Sequence, residues 1–159
     1  LSRAGYRIIA IEKDAALYRA LAARFRGHAN VECVHADVLD YRLPATPYCV
    51  ASNVPYAVTA ALVRKLLHAA SAPDAAMLLV QREAAEKFAG TPQETLFSLL
   101  HKSRFEITIA GSVSRRDFVP PPRVRSALLR IERRTVPILT EPSMAAIAEK
   151  GVGEICSTR

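Results

Sequence analysis

The chain has 159 residues, of which 50% are hydrophobic and 23% charged, with a formal net charge of +7 and a pI near 9.7. That balance excludes a disordered chain, and the length allows one domain with a real core. No apolar run is long enough to cross a bilayer and no secretory signal precedes the first strand, so no membrane partner is expected and the expected compartment is the cytoplasm. The charge is uneven: residues 101–134 hold nine Lys or Arg against three Asp or Glu, which favours a polyanionic partner over an even solvated face. Cys33, Cys49 and Cys156 form no C-x-x-C pair. Cys33 and Cys49 lie in apolar strand-like runs and read as small hydrophobes in a reduced protein. The four His residues show no ligand spacing, and no metal site is expected.

In chain order, residues 1–5 read as the end of a helix closed by Gly5. Residues 6–11 are β-branched and almost continuously apolar, the pattern of a central parallel strand, and they end at Glu12. A helix over 15–25 places Leu17, Leu21 and Phe25 on one face, and Gly27 closes it. Residues 31–35 form the next strand, followed by the acidic loop 36–40. After Pro44 and Pro47 comes a short apolar strand over 48–52, then Asn53-Val54-Pro55-Tyr56, then a helix over 60–67. Residues 71–74 make a loop, 76–81 a buried strand and 83–88 a short helix. Gly90-Thr91-Pro92 breaks that helix, and 93–102 is helical again.

From Phe105 the period changes to two, with Phe105, Ile107 and Ile109 alternating with Glu106, Thr108 and Ala110. Residues 126–133 give a second such strand. Between them, Pro120-Pro121-Pro122 excludes helix and central strand, so the two strands form an antiparallel pair joined by a stiff loop. Pro137 and Pro142 break the chain again, and 144–150 fits one short helix. The class is α/β, a mostly parallel sheet with an antiparallel pair at one edge. Residues 1–134 are expected to be one Rossmann-like domain, with 135–159 a stub or tail.

The tetrad Asn53-Val54-Pro55-Tyr56 sits where a strand stops and a helix starts, the edge at which open α/β sheets bind ligands. The Asn side-chain oxygen accepts a hydrogen bond from an amine. Pro55 fixes φ and stiffens the turn. Tyr56 offers a flat face on which a base stacks. Taken alone, the tetrad is more economically read as a plain turn. Glu12 and Asp37 follow successive strands at their carboxyl ends, where a carboxylate accepts from a ribose diol or an adenine amine. Each alone reads as a cap or a solvated loop acid; two such acids and the tetrad on a third strand form one rim.

These residues in this order resemble the ribosomal RNA adenine methyltransferases that use S-adenosylmethionine, and most of all the erythromycin-resistance methylases. The resemblance spans roughly residues 4–134 and rests most on residues 52–56 and on Arg115-Arg116-Asp117-Phe118-Val119-Pro120-Pro121-Pro122-Arg123-Val124. Residues 78–83 and 104–107 fit as well. It implies an incomplete Rossmann-like S-adenosylmethionine-dependent fold. Glu12 would bind the cofactor ribose, Asp37 the cofactor adenine with the Val38 backbone beside it, and Asn53 would border the cofactor as well. Asn53 and the Val54 carbonyl would hold the target amine in line with the methyl group. Tyr56 would stack on the flipped adenine by its ring rather than its hydroxyl, and Phe118 would cover the other side. Arg115, Arg116 and Arg123 would contact RNA phosphates. The implied partner is ribosomal RNA, 23S before 16S, methylated by a monomeric enzyme that confers resistance to macrolide-type antibiotics.

The sequence departs from the family in three places. No Gly-rich motif occurs near the start, the helical C-terminal domain is reduced to the stub after Arg134, and Arg125 stands where the family often carries an acid. The chain therefore reads as a fragment with a weakened cofactor pocket. The small-subunit adenine dimethylase is the second enzyme reading, and an RNA-binding fragment without catalysis is the reading from another class.

Overall fold

The computed structural model describes residues 5–68, 70 and 72–138. The expected helix end over 1–4, the expected helix over 144–150 and Cys156 lie outside the described residues. By its internal contacts the chain forms two units, Leu1–Leu43 and Pro44–Arg159.

In the first unit, β1 (Ile8–Glu12) and β2 (Val31–His35) pair in parallel, from Ile8 opposite Val31 to Glu12 opposite His35. Between them runs α1 (Ala15–Arg24). Its start is fixed by Asp14, whose side chain accepts from the backbone N–H groups of Ala16 and Leu17, both at 2.8 Å. Those are two of the donors that a helix start leaves without partners, and the two bonds hold the Asp14 carboxyl below its usual pKa. β1 is half-buried throughout, and among the described residues it is bonded to β2 alone. Leu21 and Phe25 are half-buried, whereas Leu17 is 60% exposed and α1 buries no residue fully. The apolar face read from the sequence is thus only partly covered within this unit, where the helix has two strands to pack on.

In the second unit the strand order is β3-β4-β6-β5. β3 (Cys49–Asn53) pairs in parallel with β4 (Ala75–Gln81). β4 pairs antiparallel with β6 (Ser126–Arg133), and β6 pairs antiparallel with β5 (Phe105–Val113). A bulge between Ile109 and Gly111 shifts the β5 register. The class is α/β, and the expected antiparallel pair of β5 and β6 sits at the edge of the sheet as read.

The core of this unit follows the period of two. Ala76, Leu78 and Val80 of β4, Phe105 and Ile107 of β5, and Ala127, Leu129 and Ile131 of β6 are all buried. Two helices cover the sheet: α3 (Arg82–Ala89), which packs on β4, β5 and β6, and α4 (Leu96–Lys102), which packs on α3 and β5. The remaining helix, α2 (Thr59–His68), buries Leu62, Val63, Leu66 and Leu67 at i, i+1, i+4 and i+5 spacing. Gly90 ends α3 at φ +64, and a Cβ there would stand 2.0 Å from the Glu94 carboxylate. The next helix starts at Leu96, not at residue 93, because Thr95 and Ser98 form a capping box. Cys33 is half-buried, but Cys49 is exposed on β3 instead of packing as a small hydrophobe. Among the described residues no helix is long and apolar enough to cross a membrane.

Candidate nucleotide and base site

The tetrad grows directly out of β3. Asn53 is the last strand residue, opposite Leu79, and the Val54 N–H still donates to the Leu79 carbonyl at 3.1 Å. Val54 is buried at 2% exposure and anchors the turn in the core. Pro55 then starts a single 3-10 turn over Tyr56–Val58 that leads into α2. The Pro55 carbonyl is used up by that turn, accepting from Val58 N–H at 3.0 Å and Thr59 Oγ1 at 3.3 Å. Neither the Asn53 side chain nor the Val54 carbonyl accepts a hydrogen bond among the described residues. Asn53 is exposed at the strand end. Two neighbouring acceptors therefore remain for an incoming amine, and the strand holds their backbone rigidly.

Tyr56 is 39% exposed, and its hydroxyl lies 3.0 Å from Ser126 Oγ. The sequence gives work to the ring alone; the structure gives the hydroxyl a buried partner. The register explains how residues 70 positions apart meet. Asn53 pairs with Leu79, Gln81 pairs with Ser126, and Ser126 pairs with Val113. The ends of β3, β4 and β5 and the start of β6 thus lie at one edge of one sheet.

The loop from β5 to β6 leaves from that same edge, so Arg115, Arg116, Phe118 and Arg123 belong to the tetrad's end of the sheet. The loop opens with a 3-10 turn over Arg115–Asp117 closed by a capping box. In it the Ser114 hydroxyl accepts from Arg116 N–H, and the Asp117 carboxylate accepts from Ser114 N–H, each at 3.2 Å. The S-x-x-D spacing is the sequence signal that marks this turn. Arg115, Arg116, Arg123 and Arg125 are exposed and take part in none of the ion pairs among the described residues. Phe118 is half-buried, next to Val119 at 99% exposure. Phe118 and Tyr56 make no ring contact with each other among the described residues.

In the other unit, Glu12 ends β1 and Asp37 follows β2 by two residues, so the parallel register brings both acids to one strand edge. Glu12 Oε1 accepts from Asp14 N–H at 2.8 Å, which orients the carboxylate. Asp37 Oδ1 accepts from Leu39 N–H at 2.9 Å, and Oδ2 accepts from Lys13 Nζ at 2.7 Å. Lys13 carries no motif signal in the sequence. Its hydrogen bond and its attraction to Asp37 raise its pKa, so it stays charged at any ordinary pH. Val38 is half-buried between the Asp37 turn and Leu39. A donor arriving at Asp37 shares the carboxylate with Lys13.

Residues 3–145 match the family described as ribosomal RNA adenine dimethylase. The chain belongs to that family. Among dimethylase-family relatives, the rRNA adenine N-6-methyltransferase of Corynebacterium diphtheriae is 35% identical over 98% of this chain and 64% of its own length. The ribosomal RNA small subunit methyltransferase A of Dehalococcoides mccartyi is 33% identical over 82% of this chain and 47% of its own length. A crystal structure of the 23S rRNA methyltransferase ErmE superposes with a TM-score of 0.82 at 30% identity, covering 88% of this chain and 57% of that one. The chain thus spans about half to two thirds of the length of these relatives. The fold class read from the sequence is that of the family.

Proposed function

We propose that this chain carries the base-binding edge, and part of the cofactor edge, of an adenine N6-methyltransferase acting on ribosomal RNA. The observation that carries this reading is the pair of unused acceptors at Asn53 and Val54 beside the Tyr56 ring. The exocyclic amine of adenine has two hydrogens to donate, and the ring it sits on has a face to stack.

The adenine amine is a poor nucleophile because its lone pair is delocalised into the ring. Donating both hydrogens to Asn53 Oδ1 and the Val54 carbonyl favours a more tetrahedral nitrogen whose lone pair points away from the base. The strand fixes the Val54 carbonyl and the Asn53 backbone in advance, which limits the reorganisation needed at the moment of reaction. Tyr56 and Phe118 hold the flipped base from its two faces, offsetting the stacking it loses in the RNA. The proton left on the methylated nitrogen departs to solvent past the exposed Asn53.

The residues fit S-adenosylmethionine by the chemistry of their acceptors. Glu12 would take the ribose diol, and Asp37 would take the adenine amine with the Val38 backbone alongside. When bound, that cofactor supplies an electrophilic methyl group. Arg115, Arg116, Arg123 and Arg125 would neutralise RNA phosphates around the base. In this reading residues 1–134 act as one methyltransferase domain, and the enzyme works as a cytoplasmic monomer.

Large-subunit RNA is the preferred substrate, and macrolide resistance the consequence, because ErmE is described as a 23S enzyme and residues 115–124 resemble the resistance methylases. The second reading, small-subunit RNA, is favoured by the comparable identity of the Dehalococcoides relative. The test is transfer of labelled methyl to each RNA separately, read as label in N6-methylated adenosines after digestion to nucleosides. Label in the large-subunit RNA supports the first reading, and label confined to the small-subunit RNA supports the second. RNA binding with no label in either leaves a non-catalytic RNA-binding protein.

A further inference from the structure

We infer that Ser126 is a positioning residue for the target base, acting through the Tyr56 hydroxyl; this rests on the reading of Tyr56 as the stacking platform. Ser126 is 1% exposed, and its hydroxyl lies 3.0 Å from the Tyr56 hydroxyl. Its backbone is held from both sides, by Gln81 of β4 and Val113 of β5. The Ser126 side chain therefore leaves a fixed point at the start of β6, a strand with a neighbour on each side. Tyr56 is tied at its other end by the turn after Pro55, whose carbonyl closes the turn onto Val58. A tyrosine fixed at backbone and hydroxyl has lost the freedom of both side-chain torsions before any base arrives.

That freedom bears on capture. A 39% exposed ring would otherwise sample several rotamers, and a base would have to select one. The tether removes that cost from binding and fixes the plane on which the adenine settles, hence the direction its amine takes toward Asn53 and Val54. The link also couples two separated stretches of chain, since Ser126 ends the arginine-rich loop that bears Arg115, Arg116 and Arg123. Phosphate binding by that loop and the seating of the base thus share one anchored strand end.

The experiment uses an RNA hairpin with 2-aminopurine in place of an unpaired loop adenine, titrated with the wild-type chain, Ser126→Ala, Tyr56→Phe and the double variant. Fluorescence of the probe reports whether the base is out of its own stack and lying on the tyrosine. Ser126→Ala should weaken the half-saturation point about three- to tenfold, the worth of one hydrogen bond, and broaden the bound-state lifetime distribution. Tyr56→Phe, which keeps the ring, should match it. The double variant should be no worse than either single, because both remove the same bond. Melting curves accompany each variant, and the coupling between the two positions is read only where they coincide. A wild-type response that survives unchanged in Tyr56→Phe and Ser126→Ala, or strictly multiplicative weakening in the double variant, overturns this assignment alone. A wild-type chain that gives no probe response overturns the stacking reading of Tyr56 together with it.

Discussion

Replacing Asn53 by Ala separates the chemistry of the tetrad from its contribution to the fold. Asn53 is exposed, its side chain makes no hydrogen bond among the described residues, and its backbone pairing with Leu79 survives truncation. The fold should therefore lose no more than about 0.5 kcal/mol, the range of an ordinary surface substitution. Cofactor affinity should hardly change, since the acids that would bind it sit on other strands. The rate of methyl transfer is another matter. A preorganised group aimed at the reacting atom is worth about 2.7–4 kcal/mol in the transition state, or roughly 10²–10³ in kcat. The assay is transfer of tritiated methyl to ribosomal RNA. It is run on this chain and on a hybrid carrying the flanking segments of the Corynebacterium diphtheriae relative. Urea titration of each variant runs alongside. An Asn53→Ala protein that folds and methylates at the normal rate removes the tetrad from the mechanism, and the functional reading would then rest on family resemblance.

Three further outcomes follow from other parts of the molecule. Replacing Arg115, Arg116 and Arg123 together by Ala should cut the slope of log affinity against log salt by about 0.7–0.9 for each phosphate no longer neutralised; an unchanged slope makes these arginines a solvated face. Glu12→Ala should weaken S-adenosylmethionine binding in calorimetry about 10- to 100-fold, the worth of hydrogen bonds to a charged acceptor, and equal binding would place the ribose elsewhere. His101 is buried against Phe97 and beside His68, and burial, with the nearby charges of His68 and Arg104, lowers its pKa below 6.5 despite the bond to the Phe97 carbonyl. A histidine that resists protonation in the fold contributes stability fully above pH 6.5, and that contribution is lost as pH falls toward its folded pKa. Urea midpoints should drop as pH falls below about 6.5, and His101→Gln should flatten that drop.

Much of this is legible because the sheet writes itself in period and composition. The β-branched run at Ile8–Glu12, the alternation from Phe105 and the three prolines before β6 each exclude other elements on simple steric grounds. The tetrad is legible as a site because Asn, Pro and Tyr at a strand end are few and their spacing is local. What escapes a reading of the chain depends on distant residues meeting. Ser126 carries no signal of its own, and only the β4–β6–β5 register brings it to Tyr56. Lys13 looks like any surface lysine until the turn after β2 sets Asp37 beside it. Leu17 and Cys49 look buried by type and are exposed, because type gives a side chain's preference and the packing partners decide whether it is met.

The central claim is that the edge built from β3 and the β5–β6 loop directs a methyl group to the N6 atom of an RNA adenine. The most direct measurement is nucleoside analysis. Large-subunit RNA lacking the modification is incubated with the protein and cofactor labelled in its methyl group, then digested to nucleosides and separated by chromatography. The account predicts label in N6-methyladenosine or N6,N6-dimethyladenosine, abolished by Asn53→Ala in a folded protein. Label in a cytidine, a guanosine, a ribose methyl or another position of adenine would contradict it.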